Sequence, residues 1–127
     1  MKLLLNINSE LIYEGSSLPV KNALAVLQRD IGKTCLPSDE KGCKIRLEKR
    51  EMKEECFCIE ADSFQNELII RAGDEMGFIY GIYEVSREIL GISNFWFWND
   101  QIIVPKKGYS ISETFREQSD PFSVRLR

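Results

Sequence analysis

Gly77-Phe78-Ile79-Tyr80-Gly81-Ile82-Tyr83-Glu84-Val85-Ser86-Arg87-Glu88-Ile89-Leu90-Gly91 is the stretch that decides how this chain folds. Its apolar residues recur at helical spacing. Ile79, Ile82, Tyr83, Ile89 and Leu90 make one broad stripe, and Phe78, Tyr80 and Val85 widen it around the cylinder. A helix that is apolar on more than one side has to be covered on more than one side. In a chain of 127 residues it is either the core of a small layered domain or a face that docks onto something else. Its breadth predicts that it is the most buried element. Gly91 marks its end, because glycine enters the left-handed turn that closes a helix without a Cβ penalty. Gly77 and Gly81, four apart, predict flush packing of the helix backbone on a neighbour. The apolar span is too short for a membrane dimerisation motif.

The residues upstream read as short strands around a first helix. Leu3-Leu4-Leu5-Asn6-Ile7 and Leu11-Ile12-Tyr13 are strand candidates. Ser16-Ser17 before Pro19 is a helix-start signal: a hydroxyl accepts from the first free amides, and proline is tolerated in the first turn. Val20, Leu24, Leu27 and Ile31 follow at helical spacing, and Gly32 is expected to end that helix. Residues 36–42 carry the proline, serine, aspartate and glycine of a loop. Cys43 to Glu48 alternates with period two, Phe57 to Ala61 and Glu67 to Ala72 are further strands, and 63–66 is a hairpin turn. The continuous apolar run at 68–70 predicts an interior strand covered on both faces. Downstream, Ile102-Ile103-Val104 and Tyr109-Ser110-Ile111 are the late strand candidates. The order is roughly β-α-β-β-β-α-β. It predicts an α+β fold, a mixed β-sheet covered by two main helices. We divide the chain into this domain, residues 1–113, and a polar linker, residues 114–127, that ends in the alternating Phe122 to Arg127.

Composition narrows the chemistry. The net charge of −3 gives no electrostatic case for nucleic acid. Lys44 to Arg50 is mildly basic but alternates with apolar residues, as the wet face of a strand does. There is no histidine, which removes histidine-based triads and histidine-ligated metals. The four cysteines, at 35, 43, 56 and 58, lack the paired spacing of a zinc site. Buried free thiols are the plainer reading; export would instead allow a Cys35–Cys43 bridge across the intervening loop. The apolar start of the chain is too short for a signal peptide and is interrupted by Asn6 and Asn8. No segment is long enough to cross a membrane as a helix. We expect no metal and no cofactor.

Hydrolysis of a glycosidic bond needs two carboxylates across the scissile bond. Asp74, Glu75, Glu84, Glu88 and Asp100 are available, but Glu84 and Glu88, one turn apart beside Arg87, read as a solvated helix face. We assign no catalytic residue. The remaining candidate is the run Phe95-Trp96-Phe97-Trp98-Asn99-Asp100, which holds both tryptophans. In an extended segment Trp96 and Trp98 point the same way and the two phenylalanines oppose them. Asn99 and Asp100 add groups able to bond hydroxyls. Trp96, Trp98, Asn99 and Asp100 are thus the candidates for contact with a substrate or a neighbouring domain, packing being the commoner use of such rings.

The same residues carry a family resemblance. Gly77 to Tyr83, Phe95 to Asp100 and Val104-Pro105-Lys106-Lys107 resemble the end of the N-terminal domain of glycoside hydrolase family 115, the xylan α-glucuronidase-like enzymes. Ala23 to Ile31 is similar to an upstream helix of those domains. The resemblance implies a non-catalytic accessory domain, like those of hexosaminidases and α-glucuronidases, that precedes a catalytic barrel. It further implies a glucuronic-acid-decorated polysaccharide such as xylan as substrate of the whole protein, catalytic acids on the barrel, and a periplasmic or extracellular location. The expected partners are that missing barrel and an oligosaccharide near the aromatic run. A free-standing carbohydrate- or protein-binding module and a purely structural domain are the rival readings.

Overall fold

In the computed structural model, which describes residues 2–91 and 105–118, the described residues form ten elements. They are β1 (Lys2–Leu5), β2 (Leu11–Ile12), α1 (Leu18–Thr34), β3 (Lys44–Lys49), β4 (Phe57–Asp62), β5 (Glu67–Ala72), α2 (Glu75–Val85), a π-helical turn (Ser86–Leu90), β6 (Tyr109–Ser112) and β7 (Arg116–Gln118). Five strands make one sheet in the order β2-β3-β5-β4-β7. β2 and β3, and β3 and β5, run parallel, whereas β4 is antiparallel to both β5 and β7. The apolar run at 68–70 lies in β5, the central strand; Leu68 and Ile70 face the core under the two helices, whereas Ile69 lies buried between Arg46 and Glu60 on the polar face, so two covering layers are not what buries it. β1 and β6 form a separate antiparallel pair. This is the expected α+β arrangement, a mixed sheet with two helices. The predicted strand at 102–104 and the segment from Phe122 onward lie outside the described residues.

Alternation sorts the sheet's side chains to two faces. Ile45, Leu47, Phe57, Ile59, Leu68, Ile70 and Ala72 meet Val20, Leu24, Leu27 and Ile31 of α1 and Phe78, Ile82 and Val85 of α2 in one core. The other face carries Arg46, Glu48, Glu60 and Arg71, joined by ion pairs.

α2 sits against the sheet through its glycines. A Cβ on Gly77 would lie 2.3 Å from the Cys56 carbonyl oxygen, and one on Gly81 would lie 2.6 Å from Ile70 Cγ2. The buried face is therefore Gly77, Phe78, Gly81, Ile82 and Val85. This corrects the sequence reading in two respects. Tyr83 is 39% exposed, and Ile79, Tyr80 and Ile89 are only half-buried, because the glycine face turns inward and carries the larger apolar residues at its back outward. The most buried element is β5, with all but Arg71 of its residues buried, since a central strand is covered by neighbours on its edges as well as its faces.

The helix caps follow from local chemistry. Ser17 Oγ accepts from Val20 N at 3.3 Å, and Asp74 Oδ1 accepts from Gly77 N at 2.8 Å. Asp74 also accepts from Glu55 N, which fastens the β3–β4 connection to the start of α2. The Ser17 hydroxyl donates to Glu75, tying the two helix N-termini together. Gly91, at φ 75°, closes the π-helical turn as expected. Gly32 does not end α1. The helix runs to Thr34, whose hydroxyl donates to the Asp30 carbonyl at 2.8 Å, because buried Ile31 and Thr34 hold its last turn on the core. A Cβ at Gly32 would meet nothing within 4 Å. Gly32→Ala is accordingly expected to stabilise the domain by ~0.5–1 kcal/mol, read as a higher urea midpoint with an unchanged slope.

All four cysteines are buried free thiols. Cys56 directly precedes β4 rather than lying in it. Burial pushes the Cys43 thiol up to about 11 and raises that of Cys35, so neither is a reactive thiolate at neutral pH.

Candidate functional site

Trp96, Trp98, Asn99 and Asp100 lie outside the described residues. What the structure describes is the ground on either side of them. Gly91 closes the π-helical turn, and the chain re-enters the description at Pro105. Lys106 is then anchored on the end of α1: its N–H donates to the Thr34 carbonyl at 2.9 Å, and its carbonyl accepts from Leu36 N at 2.7 Å. The first of these bonds uses a carbonyl that the helix C-terminus leaves without an intrahelical partner.

Beside this anchor lies an open groove of about 400 Å³, lined by Glu88 and Ile89 of the π-helical turn, by Lys106, by β6 from Tyr109 to Ser112, and by Phe115. It combines hydroxyls, a cation and an aromatic ring, the groups that a sugar uses. The ring is already engaged: Lys106 Nζ sits 5.5 Å from the Tyr109 centroid, and the Tyr109 hydroxyl donates to the Thr34 carbonyl at 3.4 Å. Stacking a sugar on that face would first require Lys106 to move. A second shallow pocket, near 390 Å³, is formed by the loop at 37–40 with Lys107. Its shape is set by Asn8 Nδ2, which donates to the Ser38 and Glu40 carbonyls, and by Asn6 Nδ2, which donates to Glu40.

Glu84 and Glu88 are not simply a solvated face. Glu117 of β7 joins them, and one oxygen from each of the three carboxylates falls within 4.8 Å of the others. The Glu84 side chain is only 15% exposed. Arg87 stands among them, with Nη2 2.7 Å from Glu88 and 3.9 Å from Glu117, and its Nε donates to Glu84 at 2.9 Å. Burial is the largest cause that pushes the Glu117 carboxyl up to about 8; its hydrogen bond with Glu84 and the charges of Glu84 and Glu88 add to this, and Arg87 opposes it. Glu117 thus holds a proton at neutral pH. Paired carboxyls are the equipment of a glycosidase; here the Arg87 guanidinium stands among the three. The arrangement joins β7 to the end of α2 and the π-helical turn, and its Glu88 also lines the groove beside Tyr109.

Sequence reading missed Glu117 altogether. β7 is three polar residues with no apolar alternation, so residues 114–121 carry no strand signal. It pairs with β4 nevertheless, Ile59 facing Glu117.

The outer face of the sheet bears the other charged cluster. Arg46 bonds Glu67 at 3.2 Å and Glu48 at 3.0 Å, and Arg71 bonds Glu48 at 2.8 Å and Glu60 at 2.9 Å. The hydrogen bond from Arg71, then that from Arg46, holds the Glu48 carboxyl below its ordinary range. The basic and acidic groups of β3, β4 and β5 thus satisfy one another, as expected of the wet face of a strand.

Neither a protein-family model nor a curated protein matches the sequence. Among solved structures, the chain is similar to a family GH115 4-O-methyl-α-glucuronidase described as having specificity for decorated arabinogalactans. The two superpose with a TM-score of 0.73 at 24% identity, over 94% of this chain and 18% of that one. The fold expected from the residues at 77–83 is therefore the fold of a portion of a GH115 enzyme. This chain spans about a fifth of the length of that enzyme.

Proposed function

We propose that this chain is a non-catalytic N-terminal domain of a glycoside hydrolase of the α-glucuronidase kind, supporting a catalytic barrel on the same, longer polypeptide. The observation that carries this reading is the mismatch in coverage: nearly all of this chain corresponds to under a fifth of a GH115 enzyme. The reaction of the whole protein would be hydrolysis of an α-glycosidic bond. Its substrate class would be a plant polysaccharide decorated with glucuronic acid, either a xylan or an arabinogalactan. Such enzymes meet their polymers outside the cytoplasm, so the reading includes export.

The surface supports the same assignment. Met76, Ile79, Tyr80 and Tyr83 follow one another at i, i+3, i+4 and i+7 on the outward side of α2, with Met76 37% and Tyr83 39% exposed. Exposed apolar stripes of this kind mark contact surfaces. The opposite face of the domain is closed by ion pairs. The helix layer is therefore the side suited to a barrel.

The groove beside Tyr109 favours the alternative of a free-standing carbohydrate-binding module. One experiment separates the two. The 127-residue chain is titrated with aldouronic acids and with arabinogalactan oligosaccharides capped by 4-O-methylglucuronic acid, while tryptophan emission is followed. Both indoles lie at the predicted contact segment, so binding there changes their environment. We expect no saturable change and no release of 4-O-methylglucuronic acid. A saturable change without release selects the binding module; release of the acid sinks the non-catalytic assignment.

A further inference from the structure

We propose that the ion pairs on the outer face of the sheet form an acid-released roof over Ile69 and Cys58, closed while Glu48 is ionised and loosened when it takes a proton. Ile69 and Cys58 are 3% and 8% exposed, yet neither packs in the core under the helices. Their neighbours on the outer face are charged or polar. Ile69 faces Arg46 of β3 and Glu60 of β4, and Glu67 and Arg71 flank it along β5. Cys58 faces Arg71 of β5 and Gln118 of β7. The charged groups join in an unbroken arc around Ile69: Glu67 to Arg46 at 3.2 Å, Arg46 to Glu48 at 3.0 Å, Glu48 to Arg71 at 2.8 Å, and Arg71 to Glu60 at 2.9 Å. Arginine stems are apolar, so an arc that fixes the charged heads lays methylenes over the residues beneath.

Glu48 is the middle link. One of its oxygens accepts from Arg71 and the other from Arg46, and Arg50 lies 3.9 Å away. Glu60 of β4 shares Arg71 with it, and Arg116 of β7 lies 4.0 Å from Glu60. Leu11 and Ile12 of β2, in register with β3, carry no charge. Isolated surface pairs contribute little. Here the Arg71 and Glu67 side chains are only 13% and 10% exposed, so their charges depend on the partners that face them. Protonation of Glu48 cuts the arc in two. Arg46 keeps Glu67, Arg71 keeps Glu60, and the anion between the guanidiniums of Arg46, Arg50 and Arg71 is gone. Hydrogen bonds from Arg71, then from Arg46, hold the Glu48 carboxyl below its ordinary value of 4.5; with the roof open it returns to that value. The open form therefore binds more protons between those limits. The closed form has its full advantage above pH about 4.5 and loses it as pH falls through the lowered value. This device operates whatever the larger protein hydrolyses.

Thiol labelling of the 127-residue chain with dithiodipyridine, which reacts in acid as well as at neutrality, tests the roof. Rates are normalised at each pH to those of glutathione and assigned to each cysteine by peptide mapping. Labelling of Cys58 should rise as pH falls below about 4.5, by up to roughly tenfold per pH unit, the slope of one linked proton. Cys35 and Cys43 lie in the core under the helices and should stay protected, which shows that the domain is still folded. Glu48→Gln cannot ionise, so its Cys58 labelling should lack the acid rise. Should that variant not fold, Arg46→Gln supplies the second reading. It leaves Glu48 with one partner fewer and its carboxyl nearer the ordinary value, so the rise should level off sooner and be smaller than in the wild type. A level wild-type profile overturns the roof, as does a full acid rise in Glu48→Gln or an undiminished one in Arg46→Gln. Release of all four cysteines together overturns it too, since that is unfolding of the whole domain.

Discussion

Replacing Ile82 by alanine is expected to destabilise the domain by about 2–5 kcal/mol, the range for removing a buried branched side chain and leaving part of the space empty. Ile82 is 1% exposed. It stands on the inner face of α2, beside Gly81 and one turn from Phe78 and Val85, in the core that both helices share with the sheet. Glycines at 77 and 81 have already brought the helix close to β4 and β5, so the backbone cannot move in to fill the vacancy. Urea unfolding followed by far-UV circular dichroism measures the loss. A cost under about 0.5 kcal/mol, the size typical of surface changes, would place Ile82 outside the core. The same truncation at Tyr83, half-exposed on the outward side, should cost only a fraction as much.

Gly77→Ala is expected to cost about 1–3 kcal/mol, although alanine is the better helix former. The added methyl would stand 2.3 Å from the Cys56 carbonyl oxygen and 2.9 Å from Ala72 Cβ. Both are backbone or backbone-adjacent atoms that cannot rotate away. Cys56 belongs to the connection that Asp74 pins through Glu55 N, so relief by shifting that connection would strain the α2 cap as well. Gly81→Ala meets Ile70 Cγ2 at 2.6 Å and Phe57 Cβ at 3.4 Å, and should fall in the same range. The comparison with Gly32→Ala is the control, since all three exchanges gain the same intrinsic propensity. Stabilisation by Gly77→Ala equal to that at Gly32 would mean that α2 does not rest on the sheet through its glycines.

Much of the architecture was legible because its causes are local. A hydroxyl at 17 with Pro19 and a glycine at 91 each carry out their capping chemistry within a few residues. The hairpin at 63–66 and the buried run at 68–70 likewise need only their own neighbours to be read. The errors share a different cause. Gly32 failed as a stop signal because Ile31 and Thr34 are held by the core. Gly77 and Gly81 do pack flush on the sheet as their spacing predicts, but the width of the buried arc was misjudged, because a glycine face turned inward carries Tyr83 outward. The candidate site divides in the same way. Trp96, Trp98, Asn99 and Asp100 were singled out by residue type alone and lie outside the described residues. Glu117 gave no signal, since the groups around it come from distant positions: Glu84 at the end of α2, Arg87 and Glu88 in the π-helical turn, and Ile59 in β4.

By itself, then, the sequence determined the helix and strand segments, their caps and turns, the α+β class, and a likeness to GH115 that the fold bears out. Short-range hydrogen bonding and side-chain periodicity act along the chain and are written in it directly. Tertiary structure alone decided how far the buried arc of α2 extends, that three polar residues after 115 become a sheet edge, and that Glu84, Glu88 and Glu117 gather around Arg87. Those outcomes depend on backbone approach and on charges brought together from distant positions, and neither quantity exists until the chain has packed.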